Sequence, residues 1–254
     1  MSLVEHTLFG IVDREAQAIE RINAIVCPSF CVKFSGGKDS IVVLDLVKKA
    51  GVPYTAVFNN TTVEIPAVYR FIRDKHPQVI ISHPPESMWQ LIGRKGLPTR
   101  QRRWCCELLK HRDVRGDIII TGIRREESPR RAKTNWVEVC RHDPSQRLLN
   151  PIYDWSEDDV WAYIRKYNLE VPPVYSADVR RVGCIGCPLS HRQSKELALY
   201  PKIAELYRRA ACRYVEHRKA IGKPTNWESG DQYYKWWVEW DGEADNEDQG
   251  ELFG

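Results

Sequence analysis

No apolar run in this 254-residue sequence reaches the roughly 18 residues that a membrane-spanning helix needs. The longest, around Ile118–Ile120, has the size of a strand. The N-terminal MSLVEHTLFG carries Glu5 and lacks the basic-then-apolar pattern of a signal peptide. No internal repeat is present, and Lys and Arg are missing altogether from residues 241–254. These absences exclude collagenous, disordered and transmembrane classes and make a cytoplasmic setting the expectation. What remains is 43% hydrophobic and 28% charged, enough for one globular domain with a real core and a smaller appendage.

The formal net charge of +4 hides an uneven distribution. Residues 241–254 hold six acids, leaving 38 Lys and Arg against 28 Asp and Glu, or +10, in residues 1–240. A basic body with an acidic tail points to an anionic ligand, a nucleotide or nucleic acid. The eight cysteines form no secreted disulfide pattern in a chain of this size without a leader. In a reducing interior, clustered cysteines read as metal or redox sites.

Strand and helix patterns alternate along the first half. Phe30–Phe34 reads as a buried strand, followed by SGGKDS and a helix that Gly51 closes. Tyr54–Phe58, Gln78–Ser82 and Asp117–Thr121 read as further strands, with helices at Val12–Ala24, Glu64–Lys75 and Ser87–Ile92. A further helix follows Trp104 to about Arg112. This spacing predicts βαβ units and a parallel sheet, with ligands beyond the carboxyl ends of its strands. Ser156–Asp159 opens a helix with a capping-box pattern, and helical stretches at Ser194–Leu199 and Lys202–Ala220 follow.

Ser35, Gly36, Gly37, Lys38, Asp39 and Ser40 lie between a strand and a helix. Glycines let the backbone approach a phosphate, and helix N–H groups then face the anion. Lys38 adds a point charge. The spacing is not that of a Walker loop. Cys105-Cys106 and Cys184-x-x-Cys187 supply four thiolates, which by ligand type suit zinc or an iron–sulfur cluster equally. Arg124, Arg125, Arg130 and Arg131 surround Ser128 after the fourth strand, and guanidinium forks suit phosphate or sulfate. Arg94, Lys95, Arg100, Arg102 and Arg103 form a second basic stretch. Asp39, Glu126 and Glu127 are candidates for Mg²⁺.

SGGKDS after a strand resembles the PP-loop of the adenine nucleotide alpha-hydrolase superfamily, the ATP pyrophosphatases. Asn60–Pro66, Thr121–Arg131 and Asn150–Trp155 resemble segments of its PAPS reductase branch. The CC…CxxC arrangement is similar to the [4Fe–4S] ligation of iron–sulfur APS reductases. The resemblance implies an α/β fold: a doubly wound, mainly parallel five-stranded sheet with a C-terminal helical extension. It implies a nucleotide site at Ser35–Ser40, Thr62, Gly122, Arg124, Arg125, Ser128 and Arg131. Lys38, Asp39 and Arg125 take the catalytic roles. Cys105, Cys106, Cys184 and Cys187 would hold the cluster, with Lys110 beside it. The implied organisation is a helical segment over 1–27, the PP-loop domain over 28–190, a helical and aromatic extension over 191–240 and an acidic disordered tail over 241–254.

Two departures separate the sequence from the reductases. No cysteine follows Cys212, whereas those enzymes use a C-terminal thiolate on a mobile segment. The loop keeps Lys38 and Asp39 intact, which argues for ATP. The pattern then resembles ATP-using, cluster-bearing relatives such as the C component of DNA phosphorothioation systems. The expected function is ATP cleavage between the α and β phosphates, with Mg²⁺, in sulfur transfer to an acceptor that includes nucleic acid, with a sulfur or electron donor protein. The alternatives are an APS or PAPS reductase that borrows an external thiol or Cys212, and a non-catalytic nucleotide- or cluster-sensing component. Gln249, Leu252 and Phe253 fit a short Q-x-x-L-F peptide of the kind that docks on sliding clamps. The aromatic residues Trp227–Trp240 either stack bases or pack a C-terminal segment.

Overall fold

The computed structural model describes residues 3–7, 10–112, 116–140, 143–177 and 181–239. The peptide containing Gln249, Leu252 and Phe253 lies outside the described residues. The chain divides into two compact units. The first comprises Met1–Asn59, Pro66–Ser82 and Asp113–Val182, and the second Asn60–Ile65, His83–Arg112 and Gly183–Gly254.

In the first unit, β1 (Val4–Thr7) and β2 (Gly10–Asp13) form an antiparallel hairpin that runs into α1 (Arg14–Asn23). The N-terminal segment is therefore not helical throughout. The helical expectation over Val12–Ala24 holds only from Arg14, because Asp13 caps the helix through the N–H groups of Glu15 and Ala16 at 3.0 Å. The main sheet contains β3 (Phe30–Lys33), β4 (Tyr54–Asn59), β5 (Ile80–Ser82), β6 (Ile118–Ile120), β7 (Val137–Val139) and β8 (Arg147–Leu149). Its order is β5-β4-β3-β6-β8-β7. The first five pair in parallel, and β7 adds an antiparallel sixth strand at the edge, one more than the expected five.

The connections are α2 (Lys38–Ala50) from β3 to β4 and α3 (Pro66–Lys75) towards β5. Gly51 ends α2 at φ +70°, a left-handed cap that glycine adopts without a Cβ penalty. In α2, Val42, Val43, Leu44, Leu46 and Val47 are all buried, which fits a helix enclosed on several sides. Its neighbours are α1 and α5 (Glu157–Lys166). Ser156 caps α5 with a complete box, in which Asp159 accepts from the Ser156 N–H at 2.8 Å. Strand order reverses at β3, between β4 and β6, so the switch point of this unit lies where the SGGKDS loop leaves the sheet.

The second unit is helical, with α4 (Met88–Lys95), α6 (Gln193–Leu199), α7 (Pro201–Ala220) and α8 (Gly230–Glu239). Leu91, Ile92, Leu97, Ile185, Leu197, Tyr207 and Trp237 are buried there. Trp237 donates its indole N–H to Pro98 O at 2.7 Å, and Tyr233 OH accepts from the Leu97 N–H at 2.8 Å. Trp227 stacks on Tyr233 with centroids 5.3 Å apart. These described aromatics pack the unit, and Trp240 lies outside the described residues. No helix among the described residues is long and apolar enough to cross a membrane.

Candidate active site

In the first unit, β3 ends and the chain turns through Ser35–Gly37 into α2. Gly36 sits at φ +72°, and a Cβ there would come within 2.8 Å of Ile72, so both backbone and space demand glycine. Ser35 and Ser40 brace the turn. The Ser35 N–H donates to Ser40 Oγ at 3.2 Å, the Ser40 hydroxyl to Gly37 O at 2.8 Å, and the Gly37 N–H to Ser35 Oγ at 3.3 Å. Gly37 caps α2 without a side-chain hydrogen bond, which leaves the positive end of the helix to this buried turn. The Lys38 N–H donates to the hydroxyl of Tyr175 at 2.9 Å. Burial pushes the Tyr175 phenol up to about 12, so it stays neutral at that helix end.

Charged groups converge on Asp39. Arg124, only 3% exposed, donates Nε–H to Asp39 Oδ1 at 2.6 Å. Lys38, 4% exposed, places Nζ 3.4 Å from both Asp39 Oδ2 and Glu157 Oε1. Arg124 also reaches Glu126 at 2.9 Å and Trp155 O at 3.2 Å. Gly122 permits this closeness, since a Cβ there would stand 3.0 Å from the Asp39 backbone carbon. Arg131 pairs with Glu127. Burial, and then the repulsion of Arg181, draws the Arg131 pKa below its ordinary value, with Asp39 opposing.

Arg125 is directed elsewhere: it donates to Thr134 O at 2.7 Å and Asn135 Oδ1 at 3.2 Å and lies over the Tyr153 ring. Ser128 takes part in the turn, its carbonyl accepting from the Arg131 N–H at 2.8 Å. The structure thus joins Ser35–Ser40, Gly122 and Arg124, and directs Arg125 to Thr134, Asn135 and Tyr153 instead. Tyr175 and Glu157 carry no motif and are found only from the fold.

The four cysteines all fall in the second unit. Cys106–Lys110 forms a single π-helical turn, a departure from the α-helical ladder that is common at functional sites. Cys184 bridges Glu64 as an isolated antiparallel pair, and its Sγ lies 3.4 Å from Thr61 Oγ1. The Cys184–Cys187 turn needs Gly186 at φ +70°, with Leu197 and Tyr207 3.1 Å from a Cβ there. Tyr207 OH donates to Ile185 O at 3.0 Å and secures the turn. Thr62, a β-branched residue at φ +66°, is a backbone outlier that follows Thr61, whose hydroxyl contacts Cys184. Its hydroxyl accepts from the Met88 N–H at 2.9 Å and so starts α4.

Burial pushes the Cys184 thiol up to about 11. A hydrogen bond with Cys106, with burial behind it, raises Cys105. Cys184 above all, then Glu64, Cys106 and Cys187, hold Lys110 well above the lysine range against the opposing effect of desolvation, although the residue as a whole is exposed. All four sulfurs therefore act on one local field. Among the described residues, no three His, Cys, Asp or Glu side chains form a cage for a single ion.

The sequence profile of the phosphoadenosine phosphosulfate reductase domain matches residues 29–190. An uncharacterized protein of Methanocaldococcus jannaschii is 30% identical over 200 residues, which cover 73% of this chain and 42% of that protein. The chain thus spans less than half of that relative's length. The adenosine 5'-phosphosulfate reductase of Staphylococcus epidermidis is 31% identical over 165 residues, covering 60% of this chain and 68% of the enzyme. The phosphoadenylyl-sulfate reductase from Candida auris superposes with a TM-score of 0.51 at 19% identity. It covers 66% of this chain and 87% of its own, a likeness of fold.

Proposed function

The chain belongs to the phosphoadenosine phosphosulfate reductase domain family, and on that premise we propose that it cleaves ATP between the α and β phosphates to drive sulfur transfer, including transfer to nucleic acid. The observation that carries this reading is the intact loop at the N-terminus of α2, where Lys38 and Arg124 converge on Asp39. The α2 N-terminus receives the triphosphate, with the buried Lys38 cation beside it. An acceptor oxygen attacks the α-phosphorus, the bond from that phosphorus to the bridging oxygen breaks, and pyrophosphate leaves. The acceptor keeps AMP and loses its proton. Lys38 and Arg124 stabilise the charge that develops on the phosphates. Asp39 holds both cations in place while the nucleotide is absent. The carboxylates here are engaged by arginines, so Mg²⁺ would be carried largely by the phosphates, as is usual for this ion.

Cys105, Cys106, Cys184 and Cys187 would hold a [4Fe–4S] cluster, which supplies electron or sulfur chemistry when bound. Lys110 faces these sulfurs and offsets their negative charge. Anaerobically purified protein is expected to be brown and to carry about four irons per chain. A colourless protein with stoichiometric zinc would refute the cluster.

The second reading is reduction of APS or PAPS with an external thiol, favoured by the 31% identity to a named APS reductase. Cys212 is poorly suited to supply that thiol. It is half-buried within α7, its Sγ lies 3.8 Å from Asp231, and burial together with that carboxylate raises its pKa. Pyrophosphate release from ATP, measured beside sulfite release from APS and PAPS, separates the readings. The first predicts pyrophosphate alone; sulfite release without pyrophosphate would favour the second.

A further inference from the structure

The positive charge is not shared evenly. Among the described residues, the second unit carries seventeen Lys and Arg against nine Asp and Glu, a formal +8. The first unit carries eighteen against seventeen, or +1. The second unit also contains an open groove of about 630 Å³ between α4 and α7. Trp89 and Gly93 of α4 line one side, and Arg213 and His217 of α7 the other.

Arg209, Arg213 and His217 recur every four residues, so they form one exposed stripe along α7. Arg94 and Lys95 end α4 on the exposed side. Arg94 is held by Glu86, and Glu216 also lines the groove. Lys95, Arg209 and Arg213 have no ion pair among the described residues; Arg213 reaches only the Trp89 carbonyl, at 3.5 Å. Trp89 is half-buried, its ring set edge-on against Tyr207 with centroids 5.0 Å apart. The groove thus sets Arg213 and one partly exposed indole in its wall, with exposed Lys95 next to Arg94 and exposed Arg209 one turn along α7 from Arg213. Backbone phosphates and an unstacked base have the complementary features.

We propose that the α4–α7 groove docks single-stranded nucleic acid, with Lys95, Arg209 and Arg213 on phosphates and a base stacked on Trp89. It rests on the proposed function only in making nucleic acid the acceptor of the sulfur. A duplex keeps its bases stacked inside and cannot offer one to the indole, so single strands are the ligand.

The test is fluorescence anisotropy of the full chain with a labelled single-stranded oligonucleotide of about 15 nucleotides, over a salt series. The double variant R209A/R213A changes exposed residues only and should fold as the parent does, checked by its melting curve. Removing two phosphate contacts should weaken binding about tenfold and flatten the log–log salt dependence by about 1.4. Trp89→Leu should weaken binding about fivefold or more through lost stacking, with little change in the salt slope. Wild-type protein that fails to bind, or a double variant that binds as the parent does, would overturn the proposal. So would competition by polyglutamate as effective as by unlabelled oligonucleotide, which would assign the groove to acidic peptides. Binding is read without turnover, so a protein that binds but releases no pyrophosphate would refute the enzymatic reading and leave the groove standing.

Discussion

Arg124 and Arg125 are neighbours in sequence with the same chemistry, yet only Arg124 meets Asp39. Which of two adjacent arginines faces the loop depends on the backbone path after β6, which no residue pattern encodes. Tyr175 was equally illegible, because it reaches Lys38 from the 3-10 turn Pro173–Ala177, 137 residues away. Gly36 is the opposite case: its φ of +72° and crowded surroundings are what a glycine-rich phosphate loop leads one to expect. His76 gives a prediction at this scale. It lies between Phe34 and Phe71, with ring centroids 4.8 and 5.1 Å away, and its Nε2 is buried without a partner. Burial, then the charge of Lys48, lowers its pKa from 6.5, with Glu170 opposing. The unfolded chain therefore takes up the proton first. Stability is full above pH 6.5 and falls as the pH drops through and below that value. Thermal melts between pH 7 and 5 should show this fall, and His76→Gln should flatten it. An unchanged slope in the variant would remove His76 as the cause.

Elements with a long apolar pattern and a chemical stop were legible: α2 with its Gly51 cap, α3, although it opens at Pro66 and not at the expected Glu64, and α5 with its Ser156–Asp159 box. The elements that escaped are short. β7 (VEV) and β8 (RLL) have three residues each and gain their stability from pairing, not from local preference. The π-turn at Cys106–Lys110 has the composition of an ordinary helix, so its extra residue per turn is invisible beforehand. The contact between α7 and α8 is set by Gly230, where a Cβ would overlap the backbone of Cys212. Gly230→Ala should therefore destabilise the second unit by about 3 kcal/mol, seen as a lower denaturant midpoint. A midpoint equal to the parent's would mean that the two helices separate freely.

At the scale of the whole chain, the chemistry is sorted between the two units. The first holds the glycine-rich loop and its arginines on a parallel sheet; the second holds all four motif cysteines and, among the described residues, most of the excess positive charge. Sequence arithmetic exposed the basic body and the acidic tail. It did not show that the basic excess of the described residues falls mostly in one unit, because that unit is assembled from three separate stretches of chain. The central claim is that ATP is cleaved at the Ser35–Ser40 loop. Pyrophosphate release from ATP by the full chain, compared with Lys38→Ala at matched folding, tests it most directly. The account predicts measurable release by the parent and a loss of about a hundredfold in the variant. Equal rates in the two proteins, or no release by the parent with an acceptor present, would contradict it.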